Sequence, residues 1–151
     1  MQDQQASKIA MEVMKSGKNC CQSVLLAAGK VWNIPIGDDI LAAANQFGEG
    51  MGSGCTCGAL AGMVMAVGIR QQYDEHPRGS KLVKELHDQF KHEFGATCCR
   101  AIKKKRSVLD RIGNRACVEL TGKTAALLVK QWERIDNGAE SPGIDYNTHS
   151  E

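Results

Sequence analysis

Apolar residues recur at helical spacing along most of the chain. Ala6, Ile9, Ala10, Val13 and Met14 form one such stripe, which predicts an amphipathic helix over 4–16 ended by Gly17. Asn19 is a good N-cap for a second helix from Cys20 to about Trp32, with Gln22 in the reciprocal place of a capping box. Its inward face reads Cys21, Val24, Leu25, Ala28, Val31 and Trp32. Pro35 stops that helix, and Asp38 or Asp39 opens a shorter one through Phe47, inward at Ile40, Leu41, Ala44 and Phe47. Residues 59–69 are apolar on every side, the pattern of a core helix. Gly58, Gly62 and Gly68 are expected to let it approach its neighbours closely. A fifth helix runs from about Ser80 to Phe94 and ends at Gly95. Thr97 is expected to cap a short helix from Cys98, and Asn114 a last one through Arg134 that carries Gly122 at some cost. No strand, repeat or internal boundary stands out. The expectation is an all-α, single-domain helical bundle of about six to seven helices over 1–135, with a flexible tail over 136–151.

Composition narrows the class. The chain has 151 residues, 42% hydrophobic and 24% charged, which excludes a disordered polar chain. No run reaches the roughly 18 apolar residues of a membrane span, and no apolar export segment stands in the first fifteen residues. A cytoplasmic address without membrane attachment is therefore expected, where thiols stay reduced. Seven cysteines in such a compartment suggest metal or redox chemistry more than a disulfide framework.

The net charge of +2 is too small for a nucleic-acid footprint. Residues 98–134, however, hold ten Lys and Arg against Asp110, Glu119 and Glu133. That surplus suits an acidic partner or offsets an anionic centre inside the molecule. The run Lys103-Lys104-Lys105-Arg106 reads in isolation as a solvated face.

The cysteines fall at the predicted helix starts. Cys20 and Cys21 follow Asn19, Cys55 and Cys57 flank Thr56, Cys98 and Cys99 follow Thr97, and Cys117 lies three residues after Asn114. Backbone N–H groups and the positive dipole end favour an anion there, so these thiols are expected to ionise readily and to ligate metal. Hydrogen bonds to sulfur of that kind tune iron–sulfur centres. No C-x-x-C is present, so neither a thioredoxin-type dithiol nor a zinc ribbon fits, and no C-x-x-C-H encodes haem attachment. The loop from Gly48 to Gly58, with five glycines in eleven residues, lacks the P-loop lysine, so no nucleotide is expected. His76, His87, His92 and His149 read as solvated, and Met51, Met63 and Met65 as core filling with soft-metal ligation as the lesser reading.

Asn19-Cys20 with Gln22 and Val24, then Cys57-Gly58-Ala59-Leu60-Ala61-Gly62, then Phe94-Gly95-Ala96-Thr97-Cys98-Cys99-Arg100, then Cys117 resemble the C_GCAxxG_C_C family of redox-active proteins. The resemblance covers about residues 5–130 and implies Cys20, Cys57, Cys99 and Cys117 as the family cysteines. Split-Soret cytochromes are similar haem-bearing proteins, but their attachment motif is missing here. Cys21, Cys55 and Cys98 are additional thiols beside family positions, which suggests a larger or asymmetric cluster or resolving thiols.

The function expected is an iron–sulfur or related metal–thiolate redox protein, with a 4Fe–4S or larger cluster used for electron transfer. Two alternatives stand beside it. One is metal-free thiol, disulfide or persulfide chemistry using Cys20 with Cys21 or Cys98 with Cys99. The other is a Cu(I) or Zn(II) module built on Cys55 and Cys57 with nearby methionines. An acidic electron-transfer protein, docking on Lys103, Lys104 and Lys105, and a second copy of the chain are the candidate partners.

Overall fold

The structure, a computed structural model, describes residues 1–74 and 79–138. They form seven α-helices and no strand: α1 (Gln2–Lys15), α2 (Cys20–Trp32), α3 (Asp38–Asn45), α4 (Gly58–Tyr73), α5 (Gly79–Phe94), α6 (Cys99–Lys104) and α7 (Arg115–Asp136). The expected tail beyond 138, and with it His149, lies outside the described residues, as does His76.

Local chemistry sets most of the helix ends. Gln22 donates its backbone N–H to Asn19 Oδ1 at 2.9 Å, and Asn19 returns its own N–H to Gln22 Oε1 at 3.2 Å, a complete capping box. Gly95, at φ +78°, ends α5 in the left-handed conformation that favours glycine.

Two connected cores hold the bundle. Ala6 and Ala10 of α1, Ala27 of α2, and Ala125 and Val129 of α7 form a seam of small side chains. Gly122 belongs to this seam, because a Cβ there would lie 2.7 Å from Met11 Cγ. Its cost to helix propensity, about 1 kcal/mol, is the condition for α1 packing on α7. The larger core joins Val24 and Leu25 of α2, Leu60, Met63 and Val67 of α4, Leu86 and Phe90 of α5, and Leu128 and Trp132 of α7. Each such side chain contributes about 1.5–3 kcal/mol before entropy is subtracted.

Three expectations need correction. Residues 59–69 are not buried on every side, since Val64 and Gly68 are exposed. Gly68 has nothing within 4 Å of a Cβ position, so only Gly58 and Gly62 serve close approach. The short sixth helix begins at Cys99, and its N-cap is Cys98 rather than Thr97. The reason is a long-range pairing: Thr56 and Cys98 form an isolated antiparallel bridge, which holds Cys98 in extended backbone.

Candidate functional site

Hydrogen bonds to backbone carbonyls fix three of the helix starts in place. Asn19 caps α2 and also donates its Nδ2 to the Asn45 carbonyl at 2.9 Å and the Ala44 carbonyl at 3.3 Å, tying Cys20 and Cys21 to the end of α3. Cys57, the N-cap of α4, donates its N–H to the Thr97 carbonyl at 2.8 Å. Cys99 donates its N–H to the Cys55 carbonyl at 2.6 Å. Those two bonds flank the Thr56–Cys98 bridge and clamp the start of α4 to the start of α6.

The glycines of the C-G-A-x-x-G motif let α4 meet α2. A Cβ on Gly58 would collide with Cys20 Sγ and lie 2.7 Å from the Phe47 carbonyl oxygen. One on Gly62 would lie 2.6 Å from the Cys21 carbonyl oxygen. The motif therefore reads as a contact surface whose purpose is to bring Cys57 beside Cys20.

Four cysteines meet around one cavity of about 200 Å³: Cys20, Cys57, Cys99 and Cys117, from the starts of α2, α4, α6 and α7. At about 30 Å³ per liquid water, that space suits a polyatomic group rather than a single ion. Met14, Ile102 and Leu120 supply apolar wall, and Glu49, Lys18, Lys103 and Arg106 supply charge. Arg106 donates from Nη1 to Cys117 Sγ at 3.1 Å.

The other three cysteines are absent from that wall. Cys21 is fully buried, its thiol 3.8 Å from Met65 Sδ. Cys55 is exposed. Cys98 donates its thiol to the Gly54 carbonyl at 2.9 Å. Adjacent residues on a helix point about 100° apart, and here that turn takes Cys21 off the wall that Cys20 lines.

For Cys20, Cys21 and Cys57, thiol acidity runs against the expectation from helix dipoles. Burial pushes the Cys57 thiol up to about 12, aided by a charged Cys20 nearby and opposed by the N–H groups of Leu60 and Ala59. Burial likewise raises Cys20, with Cys117 and Cys99 adding to it and the Cys21 N–H opposing. Cys21 is pushed up to about 12 by burial and by Cys20. The N–H donors stand where the sequence puts them, but desolvation, with repulsion between the sulfurs, outweighs them. Among the described residues, no three His, Cys, Asp or Glu side chains are grouped to hold one metal ion. The four cysteines line a shared space instead.

His87 and His92 are exposed, and His87 Nδ1 sits 3.0 Å from Asp88 Oδ1, so both are solvated as expected. Met63 is core, while Met51 is exposed. Met14 is the methionine that reaches the cavity, and the sequence reading passed it over. Arg106 was also missed as a sulfur donor. No local pattern marks it, since Arg106 lies past the end of α6 and reaches a sulfur eleven residues along the chain.

An all-α bundle that gathers four cysteines from four helix starts defines a cysteine-centred protein. The chain belongs to the C_GCAxxG_C_C family: the family model described as "Putative redox-active protein (C_GCAxxG_C_C)" matches residues 18–131. Redox activity in a cysteine-rich, all-α protein is what that description carries. No curated protein and no solved structure matches the chain. Among the described residues, no helix is long and apolar enough to cross a membrane.

Proposed function

We propose that the protein holds an iron–sulfur cluster, 4Fe–4S or larger, on Cys20, Cys57, Cys99 and Cys117, and uses it for electron transfer. One observation carries this reading: the four cysteines of the family pattern line a single cavity of about 200 Å³ from which the other three thiols are absent. A 4Fe–4S cluster takes one thiolate per iron from ligands set apart around its body. Sulfurs spaced around a volume fit that demand better than they fit one Zn(II) or Cu(I) ion. The donor set agrees as well. The N–H groups of Cys21, Leu60 and Ala59 and the Arg106 guanidinium are aimed at sulfur. Such hydrogen bonds stabilise the anionic charge of a thiolate-bound cluster and raise its potential. When bound, the cluster supplies a one-electron couple. The chain's own part is to hold the thiolates, exclude bulk water with Met14, Ile102 and Leu120, and supply positive charge.

The test is anaerobic purification or reconstitution followed by iron and sulfide analysis and visible absorption. Cys→Ser at 20, 57, 99 or 117 should each reduce iron content by well over half, whereas Cys21→Ser, Cys55→Ser and Cys98→Ser should retain it. Less than about one iron per chain in the parent protein, with no visible band, rules the reading out. A reversible two-electron thiol couple in the same metal-free protein would then favour dithiol chemistry.

A further inference from the structure

Outside the cysteine cavity lies an open basin of about 740 Å³, within the range of small-molecule sites. Cys99 and Cys117 line both spaces. Five cations face the basin: Arg100, Lys103, Lys104, Arg106 and Arg111. Glu49 is the single acid in its wall.

The arginines among these cations are held in place but not neutralised. Arg100 donates from Nη2 to the Ser53 carbonyl at 3.0 Å, and Arg111 from Nη2 to the Lys104 carbonyl at 3.0 Å. Among the described residues none of the five is in an ion pair. Elsewhere Arg70, Lys84 and Arg115 each meet a carboxylate. Gathering five like charges without a counter-ion costs stability, so the arrangement calls for an anion from outside the chain.

The wall also describes that anion. It contains no aromatic residue, so it offers no stacking platform for a base. Three guanidiniums present planar forks suited to oxyanions. Five cations against Glu49 leave a surplus of four charges. Two phosphate groups, each carrying about −1.5 to −2 at neutral pH, match that surplus.

We propose that the basin is a binding site for a small non-aromatic molecule carrying two phosphate groups, seated against the Cys99 and Cys117 side of the cysteine cavity. Lys103 and Arg106 belong to both walls, so the bound anion and the sulfurs share two cations. Arg100, Lys104 and Arg111 line the basin and not the cavity, so the site keeps three cations of its own whether or not a cluster occupies the cavity.

Inorganic pyrophosphate is the probe. It is titrated calorimetrically into the anaerobically purified full chain, with metal content measured before and after so that iron withdrawal is not counted as binding. One saturable site per chain is expected, weakening as KCl is raised. Lys104→Gln and Arg111→Gln should each reduce affinity by about tenfold. Lys104 is exposed and makes no side-chain bond among the described residues, so its replacement leaves the fold intact. The double variant Lys8→Gln/Lys30→Gln, on α1 and α2 and outside the basin, lowers net charge further and should change affinity less than about twofold. Equal losses in that control, or no saturable binding, overturn the proposal. Tighter binding of propane-1,2,3-tricarboxylate than of pyrophosphate overturns the phosphate assignment. Saturable binding of poly-L-glutamate without pyrophosphate binding overturns it in favour of an acidic protein partner.

Discussion

Gly62 and Gly68 lie on the same helix, and replacing each with alanine should move stability in opposite directions. At Gly62 the added carbon would lie 2.6 Å from the Cys21 carbonyl oxygen, 3.2 Å from its Cα and 3.3 Å from its carbonyl carbon. All three are backbone atoms, so no rotamer change relieves the contact. Restoring ordinary van der Waals separation near 3.5 Å moves α4 away from α2 by about 1 Å. Overpacking of this kind costs about 2–3 kcal/mol, and alanine returns about 1 kcal/mol of helix propensity. The net is a loss of about 1–2 kcal/mol, or roughly 2–8 °C in Tm. At Gly68 nothing lies within 4 Å, so only the propensity term remains. Gly68→Ala should gain up to about 1 kcal/mol and raise Tm by about 2–4 °C. Thermal and urea unfolding measure both changes. Iron per chain after anaerobic reconstitution gives the second readout, falling for Gly62→Ala because Cys20 and Cys57 separate. Stability shifts of the same sign in both variants would refute the close-approach account of the motif.

Asn19→Ala removes the α2 cap and both bonds to the end of α3; a loss of about 1–2 kcal/mol is expected by urea unfolding, and under about 0.3 kcal/mol would contradict it. Arg106→Gln removes the charge that donates to Cys117 Sγ, so the midpoint potential of a bound cluster should fall on the order of 50 mV, about 1 kcal/mol for one electron. Voltammetry showing no change would mean the guanidinium swings away from sulfur in the loaded protein. Iodoacetamide labelling followed by mass spectrometry should modify exposed Cys55 first and buried Cys21 and Cys57 last in metal-free protein. Early labelling of Cys21 would place it outside the core.

What the sequence disclosed follows from the range of the interactions involved. Asn19 and Gln22 are three residues apart, and both halves of their capping box are set locally, so the start of α2 was readable. Gly17 and Gly95 ended their helices for the same reason. The start of α6 was misplaced by one residue because its cause lies far off in sequence: Cys98 pairs with Thr56. Gly62 and Gly68 look alike in a string, and only the arrival of α2 at one of them separates close packing from open surface. Acidity of the thiols failed differently. Dipole and N–H effects belong to one helix and could be inferred, whereas burial and sulfur–sulfur repulsion arise when four helix starts assemble.

The basic run shows how a helix end divides neighbouring residues among separate tasks. Lys103 and Lys104 form the last residues of α6, Lys105 is its C-cap, and the chain then turns. Lys105 leaves the basin and donates from Nζ to the Gly95 carbonyl at 2.7 Å, closing the end of α5. Lys104 faces only the outer basin, while Lys103 and Arg106 line both basin and cavity. Reading the run as one solvated face, or as one docking patch, therefore averages over three environments. Arg106, two residues beyond Lys104, sits on sulfur, where the medium is drier and the interaction stronger, while Lys104 acts through solvent. Electrostatic tuning of the cysteine site and attraction of an external anion are thus assigned to different side chains of the same run. Replacing all three lysines together would mix those effects with the loss of a helix cap, and single replacements are what separate them.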